Sequence, residues 1–236
     1  MFDLDGTLLD TAPDLTAALN VLLAEERREA LSLAAVRPHV STGAIAVVRR
    51  GFPELEVGTA AFEALRLRFL DHYRATVAVH SRLFPGFELV LATLEHHALP
   101  WGIITNKAGW LTDPLLDALG LRARAACVVS GDTLKVRKPH PDPLLLAAKR
   151  IGVPAADCVY VGDALRDVQA ARAAGMVPLG ARYGYLNDAE RPESWPVAGW
   201  LDEPQDLLPW LRLPLRRAAA GGVAAGGDCT VNGREP

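Results

Sequence analysis

The sequence predicts an α/β fold with a parallel sheet as its core and a small all-helical unit inserted after the first strand. Short apolar runs alternate with helical stretches from residue 83 onward, which is typical of a parallel sheet with right-handed crossovers. Residues 12 to about 80 instead repeat their apolar side chains at helical spacing and carry no strand pattern. From about residue 216 the chain is rich in Ala and Gly and has little apolar bulk to bury. We therefore expect three parts: a core of residues 1–11 and 82–215, a helical unit of residues 12–81, and a disordered tail of residues 216–236.

The first ten residues place two carboxylates between apolar side chains. Asp3 directly follows the apolar residues 1 and 2, and Asp5 directly precedes the turn at Gly6. Carboxylates this close repel each other unless a cation lies between them, and Mg²⁺ is a usual partner of such pairs. The alternative is a solvated acidic turn. Only two residues precede Asp3, whereas strands usually run to about five or six, so we expect a truncation or a misplaced start codon.

The expected helical unit begins at residues 11–14. A hydroxyl N-cap, a proline in the first turn and an acidic residue together indicate a helix start there. Pro38 and the turn at residues 41–43 interrupt the helical pattern. We expect a short helix over 44–50 and a long helix over 59–77.

The expected core alternates strands with helices after the Pro85–Gly86 break. Three glycines stand where helices would end, at 120, 152 and 175. We expect strands over residues 102–105, 127–130 and 158–161 and from residue 177 onward. We expect helices over residues 87–94, 141–151 and 165–174, and a further helix that ends at residue 120. The carboxyl ends of parallel strands share one edge of a sheet, and α/β proteins bind ligands there.

Composition excludes several classes of protein. The chain has 236 residues, half of them hydrophobic, and a formal net charge of −3, which gives no electrostatic argument for binding nucleic acid or an anionic membrane. No apolar run approaches the roughly 18 residues of a membrane span. Three scattered cysteines form neither a disulfide framework nor a zinc spacing. We expect a cytoplasmic monomer or homodimer without nucleic-acid or membrane partners.

Polar residues follow three of the expected strand ends. They are Asp3 and Asp5, Thr105 and Asn106, and Asp163. We expect a magnesium and phosphate site where these ends meet, because Thr105 offers a hydroxyl and the helix after it offers free N–H groups to an anion. An N-cap role for Thr105 is an equal alternative. Asp167 lies one helical turn beyond Asp163, and helix capping is the alternative for that pair.

Lysine is scarce in this chain, and one lysine stands in a stiff loop. Only four of the 25 basic residues are Lys, which suggests that Lys is kept where a compact point charge is needed. Lys138 is followed by three prolines within five residues, so its loop is stiff. Lys135 and Arg137 are the alternatives for a cation at the site, and the Lys–Pro context favours Lys138.

These motifs, in this order, resemble those of the haloacid-dehalogenase-like phosphatases over roughly residues 1–185. The resemblance implies a Rossmann-like core and magnesium as the cofactor. It also implies a role for each matched residue: Asp3 as nucleophile, Asp5 as general acid/base, Asp3, Asp5 and Asp163 as metal ligands, Asp167 as a supporting residue, Thr105 and Asn106 as phosphate ligands, and Lys138 as the cation that neutralises nucleophile and phosphate.

The helical unit resembles that of the phosphoglycolate phosphatase branch, and several segments resemble N-acetylmuramic acid 6-phosphate phosphatase of cell-wall recycling. These segments are residues 41–44, 79–81, 101–107 and 181–185. The resemblance implies hydrolysis of a small phosphorylated metabolite, 2-phosphoglycolate or N-acetylmuramic acid 6-phosphate, through an aspartyl-phosphate. Ser41, Thr42 and Gly43, and also Arg182, would then set substrate choice. A helix N-terminus and a surface charge are their alternatives.

Three other functions stay open on the sequence. A sugar phosphomutase of the same family would keep every motif and return the phosphate to the sugar. A pyrimidine nucleotidase would differ only in its substrate. A catalytically impaired binding protein, lacking its first strand, would fold without turnover.

Overall fold

A computed structural model describes residues 1–186 and 191–211 of the chain. Two-residue strands β1 (Leu9–Asp10) and β2 (Arg82–Leu83) precede the main strands. The main strands are β3 (Gly102–Ile104), β4 (Cys127–Val129), β5 (Val159–Gly162), β6 (Val177–Ala181) and β7 (Gly199–Leu201). The helices are α1 (Ala12–Glu25), α2 (Leu33–Val36), α3 (Ala44–Gly51), α4 (Ala60–Ala75), α5 (Phe87–His96), α6 (Gly109–Ala118), α7 (Asp142–Ile151), α8 (Leu165–Ala173) and α9 (Leu207–Trp210). The predicted disordered tail lies outside the described residues.

The main sheet is parallel and has the first residues of the chain at its centre. β3 pairs with β4, and β5, β6 and β7 pair in sequence, all in parallel. Phe2 lies between the two groups and forms parallel bridges to Ile103 and Val161. The order across the sheet is therefore β4, β3, Phe2, β5, β6, β7. The α-amino group of Met1 donates to the carbonyl of Val159 at 2.7 Å, and burial lowers its pKa to about 6.

Helices α1 to α4 lie between β1 and β2 in the chain and pack mainly on one another. The apolar face of α4 is fully buried at Phe62, Phe69 and Tyr73 and belongs to the same core cluster as Leu19 and Leu22 of α1. Burial of a side chain of this size contributes about 2 kcal/mol. None of the helices in the described ranges is long and apolar enough to cross a membrane.

Two contacts join the chain segments that lead into and out of these helices. β1 pairs antiparallel with β2, with Leu9 opposite Leu83. Asp14, which is 1% exposed, accepts hydrogen bonds from the backbone N–H groups of His80 and Ser81 at 2.8 and 2.9 Å. A charged acceptor buried with such donors contributes about 2 kcal/mol per bond. These contacts fix the helices relative to the sheet edge.

The predicted α/β fold with a parallel sheet is confirmed, and the expected helices and strands occur within a few residues of their predicted bounds. β1, β2 and β7 were not predicted; β1 and β2 have only two residues each, which are too few to establish a period. The hydroxyl of Thr11 was expected to cap α1 and does not. It donates to Asp5 Oδ1 at 2.5 Å instead.

Candidate active site

Three buried carboxylates meet at the carboxyl edge of the sheet. Asp3 follows the central Phe2, Asp163 follows β5, and Asp167 lies in the first turn of α8. Each offers a carboxylate oxygen within 4.8 Å of the others, and none is more than 3% exposed. The sequence predicted Asp3 and Asp163 here as ligands and Asp167 only as a supporting residue.

Lys138 supplies a buried cation to this group. Its Nζ lies 2.7 Å from Asp3 Oδ1 and 2.7 Å from Asp167 Oδ1, and it also donates to the carbonyl of Ile104 at 2.8 Å. The side chain is 1% exposed. Lys135 and Arg137, the sequence alternatives, are both exposed. The geometry therefore places Lys138, and not its neighbours, between the carboxylates.

The loop of Lys138 is held by Asn106. The Asn106 amide donates to the backbone carbonyl of Lys138 at 2.9 Å and accepts from its backbone N–H at 3.0 Å. Asn106 was predicted to bind phosphate; its side chain positions the lysine, and a phosphate contact of this residue stays a prediction. Thr105 is buried, and its Oγ1 accepts from the N–H of Lys107 at 3.1 Å.

The carboxylate of Asp5 is separate from the buried group. It accepts from Lys107 Nζ at 3.0 Å and from the Thr11 hydroxyl at 2.5 Å. Lys107 also lies 4.5 Å from the ring centre of Tyr73 on α4. Burial lowers the pKa of Lys107, but Asp5 and Tyr73 outweigh burial and hold this pKa above its usual range. Asp5 was predicted as a metal ligand; its carboxylate pairs with Lys107, and the ligand role stays a prediction.

Sequence reasoning assigned no role to Lys107. Two signals pointed to it: lysine is scarce in this chain, and Lys107 directly follows the predicted phosphate ligands Thr105 and Asn106.

Asp163 accepts hydrogen bonds from three separate parts of the chain. Its donors are the Thr7 hydroxyl at 3.2 Å, the Ser41 hydroxyl at 2.5 Å and the N–H of Tyr185 at 3.0 Å. Gly6, with φ +84°, is close as well, and a Cβ there would lie 2.1 Å from Asp163 Oδ2. Only glycine fits both that conformation and that space. Ser41, which was predicted to bind the substrate, thus donates its hydroxyl to Asp163.

A cavity of about 670 Å³ opens in front of these residues. Asp3 and Asp5 border it from the sheet edge, together with Thr105, Asn106 and Lys107. The loop before α3 borders it with the three residues predicted to set substrate choice, Ser41, Thr42 and Gly43. Arg182 was also predicted there, but it pairs with Asp202 at 2.9 Å and does not border this cavity.

A family model described as haloacid dehalogenase-like hydrolase matches residues 1–181. The chain belongs to this family. The family resemblance of the motifs is thereby confirmed, and the match covers every candidate catalytic residue named above.

Relatives of this haloacid dehalogenase-like hydrolase carry two kinds of phosphatase name. A phosphoglycolate phosphatase of Xylella fastidiosa is 46% identical over 207 residues, which cover 88% of this chain and 90% of the relative. An N-acetylmuramic acid 6-phosphate phosphatase of Pseudomonas putida is 41% identical over 207 residues, which cover 88% and 92%. The crystal structure of a predicted phosphoglycolate phosphatase from Haemophilus somnus matches with a TM-score of 0.78 at 27% identity, covering 89% of this chain and 96% of that chain. The hydrolase is therefore a phosphoric monoester hydrolase.

Burial and mutual repulsion make the carboxylates of this hydrolase resist ionisation. The pKa of Asp3 is raised to about 6. Burial is the largest cause, repulsion from Asp167 adds to it, and Lys138 opposes both. The pKa of Asp163 is raised to about 7, mainly by burial and secondly by repulsion from Asp3 and Asp167. Three buried carboxylates around one lysine leave an excess of negative charge. This set of oxygen donors fits a hard divalent cation.

Proposed function

We propose that this chain is a Mg²⁺-dependent phosphatase that hydrolyses a small phosphorylated metabolite through an aspartyl-phosphate on Asp3. The observation that carries the proposal is the setting of Asp3. Its carboxylate borders the cavity, is paired with Lys138 at 2.7 Å, and lies beside Asp163 and Asp167. A nucleophilic carboxylate needs such compensation of charge when an anionic phosphate approaches it.

In the first proposed step an Asp3 oxygen attacks the phosphorus, and the bond from phosphorus to the ester oxygen breaks. Asp5 gives a proton to the departing alkoxide, so the alcohol leaves neutral. In the second step water attacks the phosphorus of the aspartyl-phosphate and gives its proton to Asp5. Inorganic phosphate and the Asp3 carboxylate result. Asp5 suits this role because it borders the same cavity and its carboxylate is held in place by Lys107 and Thr11.

The proposed Mg²⁺ ligands are Asp3 and Asp163, with Asp167 beside them. Asp5 stays a proposed ligand as well; because its carboxylate is paired with Lys107, its backbone carbonyl is the oxygen that it would offer. Mg²⁺ would supply charge to stabilise the transferring phosphoryl group. Lys138 supplies a second positive charge from the chain itself, and Thr105 supplies a hydroxyl at the cavity wall.

We propose that the helices of residues 12–81 form a cap over a core of residues 1–11 and 82–215. Ser41 supports this division, because it comes from the helical unit and donates to Asp163 of the core. Arg166 of the core donates in turn to the carbonyl of Ser41. Closure of a cap over the site would exclude water from the phosphoryl transfer. A cytoplasmic location and a monomeric or homodimeric state stay predictions.

The proposed substrates are 2-phosphoglycolate and N-acetylmuramic acid 6-phosphate, after the names of the relatives. We expect Mg²⁺-dependent release of inorganic phosphate from at least one of them, and loss of that release in EDTA. The assay measures kcat/KM for each substrate with the wild-type chain. Formation of an isomeric sugar phosphate in place of phosphate would indicate a mutase. A folded chain that releases phosphate from neither substrate would contradict the proposal.

The raised pKa values of Asp3 and Asp163 predict how stability depends on pH. Unfolded aspartates have a pKa of about 3.9, so the folded chain holds protons on these groups more tightly. Their contribution to the free energy of unfolding is then fully present below about pH 4 and is lost as pH rises through about 6 to 7. The lowered pKa of the Met1 amino group acts in the opposite direction over the same range. We therefore expect the metal-free wild-type protein to lose stability from pH 6 to pH 8 relative to Asp163→Asn, as measured by denaturant unfolding in EDTA.

The controls for this pH dependence are two variants and the metal. Asp163→Asn should remove the Asp163 contribution to this loss, whereas Asp71→Asn, at an exposed position of α4, should leave the pH dependence as in the wild type. Mg²⁺ should stabilise more at pH 8 than at pH 6, because protons compete for the same oxygens. An equal change in stability from pH 6 to pH 8 in the metal-free wild type and in Asp163→Asn would contradict the prediction.

A further inference from the structure

The cavity is larger than the smaller of the two proposed substrates requires. At about 670 Å³ it has the volume of roughly twenty water molecules. Cavities of about 300–1,000 Å³ accommodate ligands the size of a typical drug. Glycolate has only two carbon atoms beyond the ester oxygen. The cavity therefore has room for a larger alcohol than glycolate.

The wall beyond the sheet edge is apolar and comes partly from the helical unit. Leu67 and Leu70 of α4 and Val47 of α3 border the cavity, and Trp110 borders it from the first turn of α6. Leu67 is 55% exposed and Trp110 is 42% exposed. Aromatic and leucine side chains that border a cavity offer apolar surface to the C–H face of a sugar ring or to an acyl methyl group.

Arg66 places a positive charge on this wall. It belongs to α4 and therefore to the helical unit, unlike Lys138 and Lys107, which belong to the core. Its Nε donates to Glu63 at 2.7 Å. Within the part of the chain that the structure describes, this leaves the two terminal amino groups available to a ligand. A guanidinium with that much free donor capacity suits a carboxylate.

We propose that this wall is a subsite for the alcohol part of the substrate and that it selects a phosphorylated N-acyl amino sugar carrying a carboxylate. The sugar ring and the acyl group would pack on Trp110 and the α4 leucines, and the carboxylate would bind Arg66. Of the two proposed substrates, N-acetylmuramic acid 6-phosphate has all three features and 2-phosphoglycolate has only the carboxylate. The inference rests on the proposed function, because the phosphate is placed at Asp3.

The test of Arg66 compares two sugar phosphates that differ at the carboxylate. N-acetylglucosamine 6-phosphate lacks the lactyl group of N-acetylmuramic acid 6-phosphate. Arg66→Gln should lower kcat/KM about tenfold to a hundredfold for the muramic acid ester and leave the glucosamine ester unchanged. Arg68→Gln is the matched control, because Arg68 lies two residues further on α4 and pairs with Glu25 and Glu26 away from the cavity. An equal loss for both sugar esters in Arg66→Gln would overturn the role of Arg66.

The test of Trp110 uses the smaller substrate as its reference. Trp110→Ala should lower kcat/KM about tenfold for both sugar esters and leave 2-phosphoglycolate unchanged. Trp210→Ala is the control, because Trp210 has the same 42% exposure but lies on α9 and does not border the cavity. A wild-type chain that prefers 2-phosphoglycolate to the muramic acid ester would overturn the subsite while leaving the phosphatase in place.

Binding without turnover separates this inference from the proposed function. Calorimetric titration of the Asp3→Asn protein in Mg²⁺ should show tighter binding of N-acetylmuramic acid 6-phosphate than of N-acetylglucosamine 6-phosphate. The difference should vanish when Arg66→Gln is added. That result would support the subsite even if the wild-type chain released no phosphate. Equal binding of the two esters, or no binding of either, would overturn it.

Discussion

Replacement of Asp3 by asparagine is expected to lower kcat by roughly 10⁴- to 10⁶-fold, the range seen when single members of a catalytic triad are removed. Asparagine keeps the shape of the side chain but cannot form the acyl phosphate. The fold should be retained, because one of three buried carboxylates around Lys138 is neutralised and repulsion from Asp167 and Asp163 falls. Steady-state phosphate release and thermal unfolding in EDTA at pH 8 measure the two effects.

The companion variant to Asp3→Asn is Asp5→Asn, which separates the two proposed steps. With p-nitrophenyl phosphate the leaving group needs no proton, so Asp5→Asn should release a burst of nitrophenolate and then stall as the aspartyl-phosphate. Peptide mass spectrometry should find that phosphate on Asp3. Asp3→Asn should give no burst. Activity of Asp3→Asn within tenfold of the wild type would remove Asp3 from the mechanism.

The residues at the strand ends could be predicted from the sequence because a parallel sheet brings those ends together. Asp3, Thr105 and Asp163 each follow a short apolar run, and all three lie at the same edge. Lys138 was favoured over Lys135 and Arg137 on its proline context, and it is the buried one of the three. These inferences needed only the order of elements and the rules of parallel topology.

The partners of those residues could not be predicted, because tertiary packing sets them. Lys107 and Asp5 are 102 residues apart in the chain, and Ser41 and Asp163 are 122 apart. A local sequence pattern cannot indicate a contact between residues so far apart in the chain. Whether the Asp5 carboxylate binds the metal or acts as the acid/base depends on its contact with Lys107. The sequence spacing of two between Asp3 and Asp5 suggested a shared cation, whereas the structure gives each carboxylate its own lysine.

These partners also connect the helical unit to a proposed metal ligand, Asp163, and to the proposed acid/base, Asp5. Ser41 contacts Asp163, and Tyr73 of α4 packs on Lys107, which holds Asp5. A movement of the helices would therefore change the surroundings of the proposed metal ligand and of the proposed acid/base at the same time. Positions such as Ser41 and Tyr73 thus contact the proposed site although they lie outside the motifs that resemble the family.

Replacement of Lys138 by methionine is expected to lower the free energy of unfolding by about 3–5 kcal/mol in metal-free protein at pH 8, because it leaves buried carboxylates without their cation. The two ion pairs of Lys138 are each 2.7 Å long, and its side chain is 1% exposed. The loss should be smaller at pH 6, since the raised pKa values of Asp3 and Asp163 allow protons to take the place of the cation. Denaturant unfolding in EDTA at both pH values measures this difference.

Lys138→Met should also lower kcat at least about a hundredfold, because a preorganised charge at the transferring phosphoryl group is lost. Mg²⁺ should restore part of the stability but not the rate, since it supplies charge to the carboxylates without replacing the lysine beside Asp3. Lys135→Met is the matched control, because Lys135 lies three residues earlier in the chain and is exposed. It should change the free energy of unfolding by no more than about 0.5 kcal/mol and leave kcat close to the wild-type value. Equal unfolding midpoints for the two variants would show that the buried ion pairs contribute nothing to stability. The loss of rate would then have to come from another contact of Lys138.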